Sequence, residues 1–286
     1  MPFVEVGDYR ITLIRAGRYL WDGGALFGVV PKTLWSNFQP ADDLNRISCG
    51  LNCYVIEDGR KRILVETGVG VRHDERAIER SGLQGAPLLR ESLAQHGFEP
   101  ESITTVVNTH LHWDHAGGNT VDEHGHPVPM LPNARYVTQR GELEHARSRH
   151  PRDAVSYRHP NYEPLVEAGR LDLIKGDHEI APGIELRVAP GHNRDMMIVV
   201  VRSGNARSGN GVWCHLADLV MYAAQVTPTW VSGFDLFPLE GIDNKTRILG
   251  QAAQEGWWCS FGHDPGVAFA KIEAQGGKWR IHQSLD

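Results

Sequence analysis

The chain has 286 residues, 41% hydrophobic and 22% charged, the balance of a globular protein able to bury a sizeable core. Its formal net charge of -6 argues against a nucleic-acid binder, which normally presents a basic face. No apolar run approaches the roughly 20 residues needed to span a bilayer, and MPFVEVGDYRITLIRAG at the N-terminus lacks the pattern of a secretion signal.

Strands are predicted over Ile11–Ile14, Asn52–Ile56 and Arg62–Val65, the last two flanking an Asp58-Gly59 turn. A helix follows over Pro87–His96, with Gly97 placed to end it. The β-branched strand Ile103–Val107 then delivers the chain into THLHWDHAGG, Thr109 to Gly118. Beyond it come a strand over Arg135–Thr138 and a helix over Gly141–Arg149. Further strands are predicted at Leu171–Ile174, Ile184–Val188, Met197–Val201 and Val212–Leu216, the last two joined by a turn over Gly204–Gly211. Asn244 is expected to cap a helix over Asn244–Glu255, and strands at Trp257–Phe261 and Val267–Ile272 follow. Strand-rich halves with interspersed helices and no linker predict one domain over residues 1–286, with two sheets packed together under outer helices. Cys49, Cys53, Cys214 and Cys259 form no Cys-x-x-Cys pair, which predicts buried thiols in a reducing cytoplasm.

The sequence concentrates its chemistry between His110 and His115. Alternate residues of an extended segment point the same way, so His110 and His112 can converge on one cation. The turn that follows can aim Asp114 and His115 at a neighbouring point, and Gly117 and Gly118 leave room for close backbone approach. Imidazole and carboxylate suit a borderline divalent ion, zinc first, with iron and manganese as alternatives. His192, Asp218 and His263 each lie at or just beyond the end of a predicted strand, where a loop side chain can enter a shared cleft. Seven such ligands are too many for one tetrahedral zinc and suit two metals sharing a bridge.

The series His-x-His-x-Asp-His, then His, Asp and His, resembles the metallo-β-lactamase superfamily, whose fold is an αββα sandwich of two packed mixed sheets with helices on both outer faces. The resemblance implies that His110, His112 and His192 hold one metal, that Asp114, His115 and His263 hold the other, and that Asp218 bridges them. DGGALFGVVPKTLW (Asp22–Trp35) and HLADLVMYAAQVTPTWVSGFDLFP (His215–Pro238) look like segments of the branch of N-acyl-homoserine-lactone lactonases and quorum-quenching-lactonase-like proteins. Three departures stand out. Glu66-Thr67-Gly68 replaces the usual Asp-Thr-Gly, making Glu66 a supporting residue behind the metal ligands. PGHNRD replaces Pro-Gly-His-Thr-Pro-Gly and leaves Arg194 and Asp195 beside His192. The tyrosine expected three residues after the bridging Asp is shifted by one, with Met221 at that place and Tyr222 next.

A hydrolase follows from this resemblance, opening a lactone or cleaving a related ester with hydroxide generated between two cations. Asp114 would orient the attacking water or pass a proton, and Tyr222 would contact the substrate. Leu26, Phe27, Trp35, Met221, Tyr222 and Trp230 are candidates for an apolar rim, equally explicable as core. Ala25–Pro31 reads as a loop able to fold over the cleft, and Arg194 as a partner for an anionic group or a plain surface arginine. His215 is either a donor behind the metal ligands or a buried histidine bonded to backbone. A phosphotriesterase or phosphodiesterase on the same two metals, and a non-hydrolytic metal-binding protein, are the competing readings. The expected partner is a small molecule rather than a nucleic acid or a membrane, and a homodimer is left open.

Overall fold

Strands with apolar residues on both faces need cover on both sides, and this chain builds two sheets of that kind. The computed structural model describes residues 2–83, 88–202, 211–276 and 278–286. The first sheet takes β1 (Phe3–Val6), β2 (Tyr9–Asp22), β3 (Arg46–Glu57), β4 (Arg62–Val65) and β5 (Thr105–Val107). A detached hairpin of β6 (Thr120–Glu123) and β7 (His126–Pro129) follows, and β8 (Arg135–Gln139) and β9 (Leu171–Ile174) complete the sheet in the order β1-β2-β3-β4-β5-β8-β9. The second sheet runs in chain order through β10 (His178–Ala181), β11 (Ile184–Val188), β12 (Met197–Arg202), β13 (Val212–His215), β14 (Trp258–Ser260), β15 (Phe269–Gln275) and β16 (Lys278–Leu285).

Strand alternation assigns each side chain to a layer. Val199 and Val201 of β12 pack inward with Ile184, Leu186 and Trp213, against Ile11, Leu13, Tyr54, Ile56 and Val107 of the first sheet. Their neighbours Ile198 and Val200 point outward, under Ile248, Leu249 and Ala252 of the helix Pro238–Glu255. Leu89 and Leu93 of the helix Leu88–Gln95 cover the other outer face, with Leu64 and Val106 beneath them. The order is helix, sheet, sheet, helix, as the resemblance implied. All four cysteines are free and buried, with Cys214 and Cys259 opposite one another on parallel strands. No helix among the described residues is long and apolar enough to cross a membrane.

Several expectations need revision. The helix expected from Asn244 begins six residues earlier, at Pro238, and Asn244 does not cap it but donates from Nδ2 to the Pro190 carbonyl at 2.8 Å. Ala25–Pro31 is not a free loop: Gly23–Phe27 is a short helix capped by Asp22, and the Leu26 carbonyl accepts from Gln225 Nε2. Strands β1, β6, β7, β10 and β16 had no counterpart in the sequence reading. Pro87, at the start of one predicted helix, and all but the last residue of the predicted turn Gly204–Gly211 lie outside the described residues.

Two parallel pairs position the site. β4 and β5 run parallel, as do β13 and β14, so each pair delivers two loops at one edge of its sheet. Glu66 follows β4, the histidine motif follows β5, Asp218 follows β13 and His263 follows β14.

Candidate metal centre

The motif loop is anchored before it carries any ligand. Thr67 donates from both N and Oγ1 to the His115 carbonyl, and Asn108 and Asn119 exchange side-chain hydrogen bonds beside it. A Cβ on Gly117 would lie 2.2 Å from the Val69 carbonyl oxygen, and one on Gly118 2.3 Å from that of Thr67. The close backbone approach expected of both glycines is therefore real. Gly117→Ala is expected to cost about 1–3 kcal/mol, as overpacking against rigid backbone does, read as a lower denaturant midpoint at unchanged slope.

Three segments then bring their ligands to this loop. Nitrogens of His110, His112 and His192 form one group within 4.8 Å of one another, and atoms of Asp114, His115 and His263 form a second. Asp218 stands between them. Its Oδ1 lies 3.2 Å from Nε2 of both His115 and His263, and its Oδ2 lies 3.5 Å from His192 Nε2 and 3.8 Å from His110 Nε2. His192 and His263 are buried, and Asp114 reaches partly into solvent.

Four of the five imidazoles have their outer nitrogen held by an acceptor. His263 Nδ1 donates to the Gly50 carbonyl at 3.0 Å, and His192 Nδ1 to Asp235 Oδ1 at 3.1 Å. His115 Nδ1 faces Glu66 Oε1 at 3.4 Å. His110 Nδ1 lies 3.0 Å from Thr109 Oγ1, which itself donates to Glu66. With the proton fixed outward, each Nε2 lone pair points to the centre, the arrangement that orients metal-ligating histidines. His112 turns the other way, its Nδ1 lying 3.0 Å from His192 Nε2.

The donor set fits divalent cations. His110 Nε2 is buried with no hydrogen-bond partner among the described residues, a costly arrangement unless something else meets it. Converging lone pairs 3.0–3.1 Å apart repel unless positive charge lies among them, and tetrahedral zinc spaces nitrogen ligands by about 3.3 Å. Burial holds His110 well below the ordinary imidazole range and brings His112 down to about 3. Burial would raise Asp218, but His115 and His263 outweigh it and hold the carboxyl well below its usual range. Burial would likewise lower His115, but Asp218, Glu66 and Asp114 outweigh it and raise it. Three carboxylates thus concentrate negative charge on one buried point, where a cation relieves the cost of burying them.

The cleft over this centre is walled by Trp21, Leu26, Trp113, Met221 and Phe234, with Arg152 and Val155 at its edge. Two of the expected rim residues, Leu26 and Met221, are in place. Others are not. Phe27 is fully buried and stacked against Trp35 and Tyr222. Tyr222 faces away from the cleft, its hydroxyl 2.9 Å from Cys49 Sγ and 3.3 Å from the Ser48 carbonyl. Its backbone is extended (φ -126°, ψ 148°), so neighbouring side chains point to opposite sides, and Met221 occupies the cleft instead. Arg194 pairs with Glu240 at 2.6 Å over the Phe237 ring, outside the cleft lining. Among the described residues His215 bonds neither to backbone nor to a metal ligand: its Nδ1 meets Ser260 Oγ at 3.2 Å inside the inter-sheet core. Burial brings it down to about 3.

Two residues of the site carry no sequence signal: Tyr19, whose hydroxyl donates to Asp114 Oδ2 at 2.7 Å from the cleft wall, and Asp235 behind His192. Asp235 lies inside the quoted segment His215–Pro238, but nothing in its spacing marks it.

The family model of the metallo-beta-lactamase superfamily matches residues 48–207, more than half of the chain. The chain belongs to that superfamily. It is 29% identical over 218 residues to an N-acyl homoserine lactonase of Bacillus cereus, covering 71% of this chain and 74% of the relative. A probable metal-dependent hydrolase from Staphylococcus aureus has a TM-score of 0.89 at 28% identity, over 99% of this chain and 98% of its own. A dizinc quorum-quenching lactonase, AidC, shares the fold at a TM-score of 0.79 and 19% identity, over 100% and 97%. The superfamily membership and these relatives make the chain a metal-dependent hydrolase.

Proposed function

We propose that this hydrolase opens lactones, of which N-acyl homoserine lactones are the first class to test, or cleaves related carboxylic esters. The observation that carries the reading is Asp218, whose two carboxylate oxygens face two separate groups of ligands. His110, His112 and His192 would hold one divalent cation and Asp114, His115 and His263 the other, with Asp218 shared and zinc the first choice. When bound, such a pair polarises a carbonyl and makes water acidic enough to attack at neutral pH.

The chain's own residues supply the rest. Apolar walls formed by Trp21, Leu26, Met221 and Phe234 suit an acyl group and exclude bulk water from the reacting carbonyl. Asp114, at the floor of the cleft, is placed to take a proton from water and return it to the leaving alkoxide oxygen. Glu66, Asp235 and the Gly50 carbonyl keep the imidazoles oriented. A relative named as an N-acyl homoserine lactonase over most of both chains supports the substrate class.

The test is acid release in a pH-stat. The metal-loaded chain is expected to carry two equivalents of divalent metal and to hydrolyse an N-acyl homoserine lactone. Chelation should remove the activity, and added zinc or manganese should restore it. No turnover on any lactone or aryl ester by chain carrying both metals would rule the reading out. A phosphotriester arm in the same panel separates the competing chemistry.

A further inference from the structure

Asp114 is held by a residue that neither the motif nor strand alternation selects. It sits in the first turn of a helix only four residues long, Trp113–Ala116, and its side chain reaches partly into solvent. Nothing in so short a helix fixes its rotamer. Among the described residues, its hydrogen-bond donor is the Tyr19 hydroxyl, at 2.7 Å from Oδ2. Tyr19 comes from the long strand β2 of the first sheet, 95 residues away in sequence. The phenol is itself fixed: 3% exposed, with its ring 5.3 Å from Trp113 and 6.0 Å from Trp21, and edge-on to His263 at 6.1 Å.

We infer that Tyr19 is a positioning residue for one of the two cations alone: by holding Asp114 Oδ2, it sets the affinity of the Asp114–His115–His263 group and leaves the His110–His112–His192 group untouched. The oxygen that Tyr19 holds, Oδ2, lies 3.7 Å from His263 Nε2, and Oδ1 lies 4.0 Å from His115 Nε2, so the hydroxyl fixes the carboxylate between the two imidazoles of this group. Among the described residues Tyr19 makes no hydrogen bond to the other group, where Thr109 and Asp235 hold the outer nitrogens of His110 and His192. Residues that orient a metal ligand from behind are worth about ten- to a hundredfold in affinity. The inference rests on the two-cation part of the reading above and is independent of the substrate.

Tyr19→Phe keeps the ring and removes only the hydroxyl. Metal-free full-length chain, wild type and variant, is titrated with Co(II) against a competing chromophoric chelator, and the cobalt absorption bands are recorded alongside. The expected result is two dissociation constants in each protein. One rises tenfold or more in Tyr19→Phe, with a change in the bands of that site, and the other stays within about twofold of wild type. A second comparison guards against a packing effect. In an Asp114→Ala background, Tyr19→Phe is expected to add nothing, because the group it positions is already lost.

Unchanged constants overturn the inference. So does an equal loss at both sites, an equal loss in the Asp114→Ala background, or wild-type chain that binds a single equivalent. Failure of lactone hydrolysis with two well-separated cobalt constants would count against the proposed substrate and leave Tyr19's role standing.

Discussion

Asp218→Asn is expected to lower turnover of an N-acyl homoserine lactone by about a thousandfold, equivalent to about 4 kcal/mol of barrier. The substitution keeps size and shape, so the loss reports charge and donor type. An aspartate presents acceptors on both sides. Asparagine presents one acceptor and one amide, and in either orientation the amide faces a pair of inward nitrogens, His115 and His263 or His110 and His192. One cation then loses a ligand and gains a repelling donor, and the carboxylate charge shared by the pair disappears. Stability should fall in both forms. Metal-free chain loses a carboxylate that His115 and His263 hold ionised, so it is expected to be less stable than wild type at neutral pH, and the stabilisation on adding zinc should shrink as well. At a hundredfold excess over the dissociation constant each intact site contributes about 2.7 kcal/mol. Retention of full activity and of two tightly bound equivalents would show that Asp218 is not shared.

The candidate ligands were legible because their chemistry restricts residue type and their spacing restricts geometry. Four fall in six residues after a β-branched strand, and the other three fall where strands end. The supporting residues were not legible, for a physical reason. Asp235 and Tyr19 are single polar side chains whose distance from the motif is set by how the sheets and helices stack, and their local surroundings are ordinary. Tyr222 failed for the opposite reason. Its spacing from Asp218 suggested a role, but a shift of one residue along an extended chain moves a side chain to the other face.

The late start predicted for the last helix belongs to the same problem. Gly241 weakens helix propensity at the beginning of Pro238–Glu255, which hid that turn from a reading of the sequence. The structure shows what the glycine permits: a Cβ on Gly191 would come 2.8 Å from Gly241 Cα, and the chain at Gly191 and His192 accepts hydrogen bonds from the Phe237 and Leu236 amides. A residue unfavourable to its helix lets the His192 loop pass close over it. Local rules failed where the site made its own demand.

Glu142→Gln is expected to change the pH dependence of stability rather than the fold. Glu142, in the helix Arg140–Ser148, is 1% exposed, and its Oε1 accepts from the Leu111 amide at 2.8 Å and the Tyr157 hydroxyl at 2.9 Å. Leu111 lies between His110 and His112, so this carboxyl anchors the ligand loop from beneath. Burial pushes Glu142 up from 4.5 to about 7, against the opposing pull of those two donors. The folded chain therefore holds the proton more tightly than the unfolded chain. The stability linked to that proton is fully present below about pH 4.5 and is lost as pH rises through 7, by about 3 kcal/mol in all. Glutamine keeps the Oε1 acceptor for both donors and cannot ionise. The stability of Glu142→Gln relative to wild type should accordingly rise by about 3 kcal/mol between pH 4 and pH 8, measured by urea denaturation of metal-free chain. A difference that stays flat over that interval would mean that the ionised carboxylate is well accommodated, and that Leu111 and Tyr157 compensate for its burial.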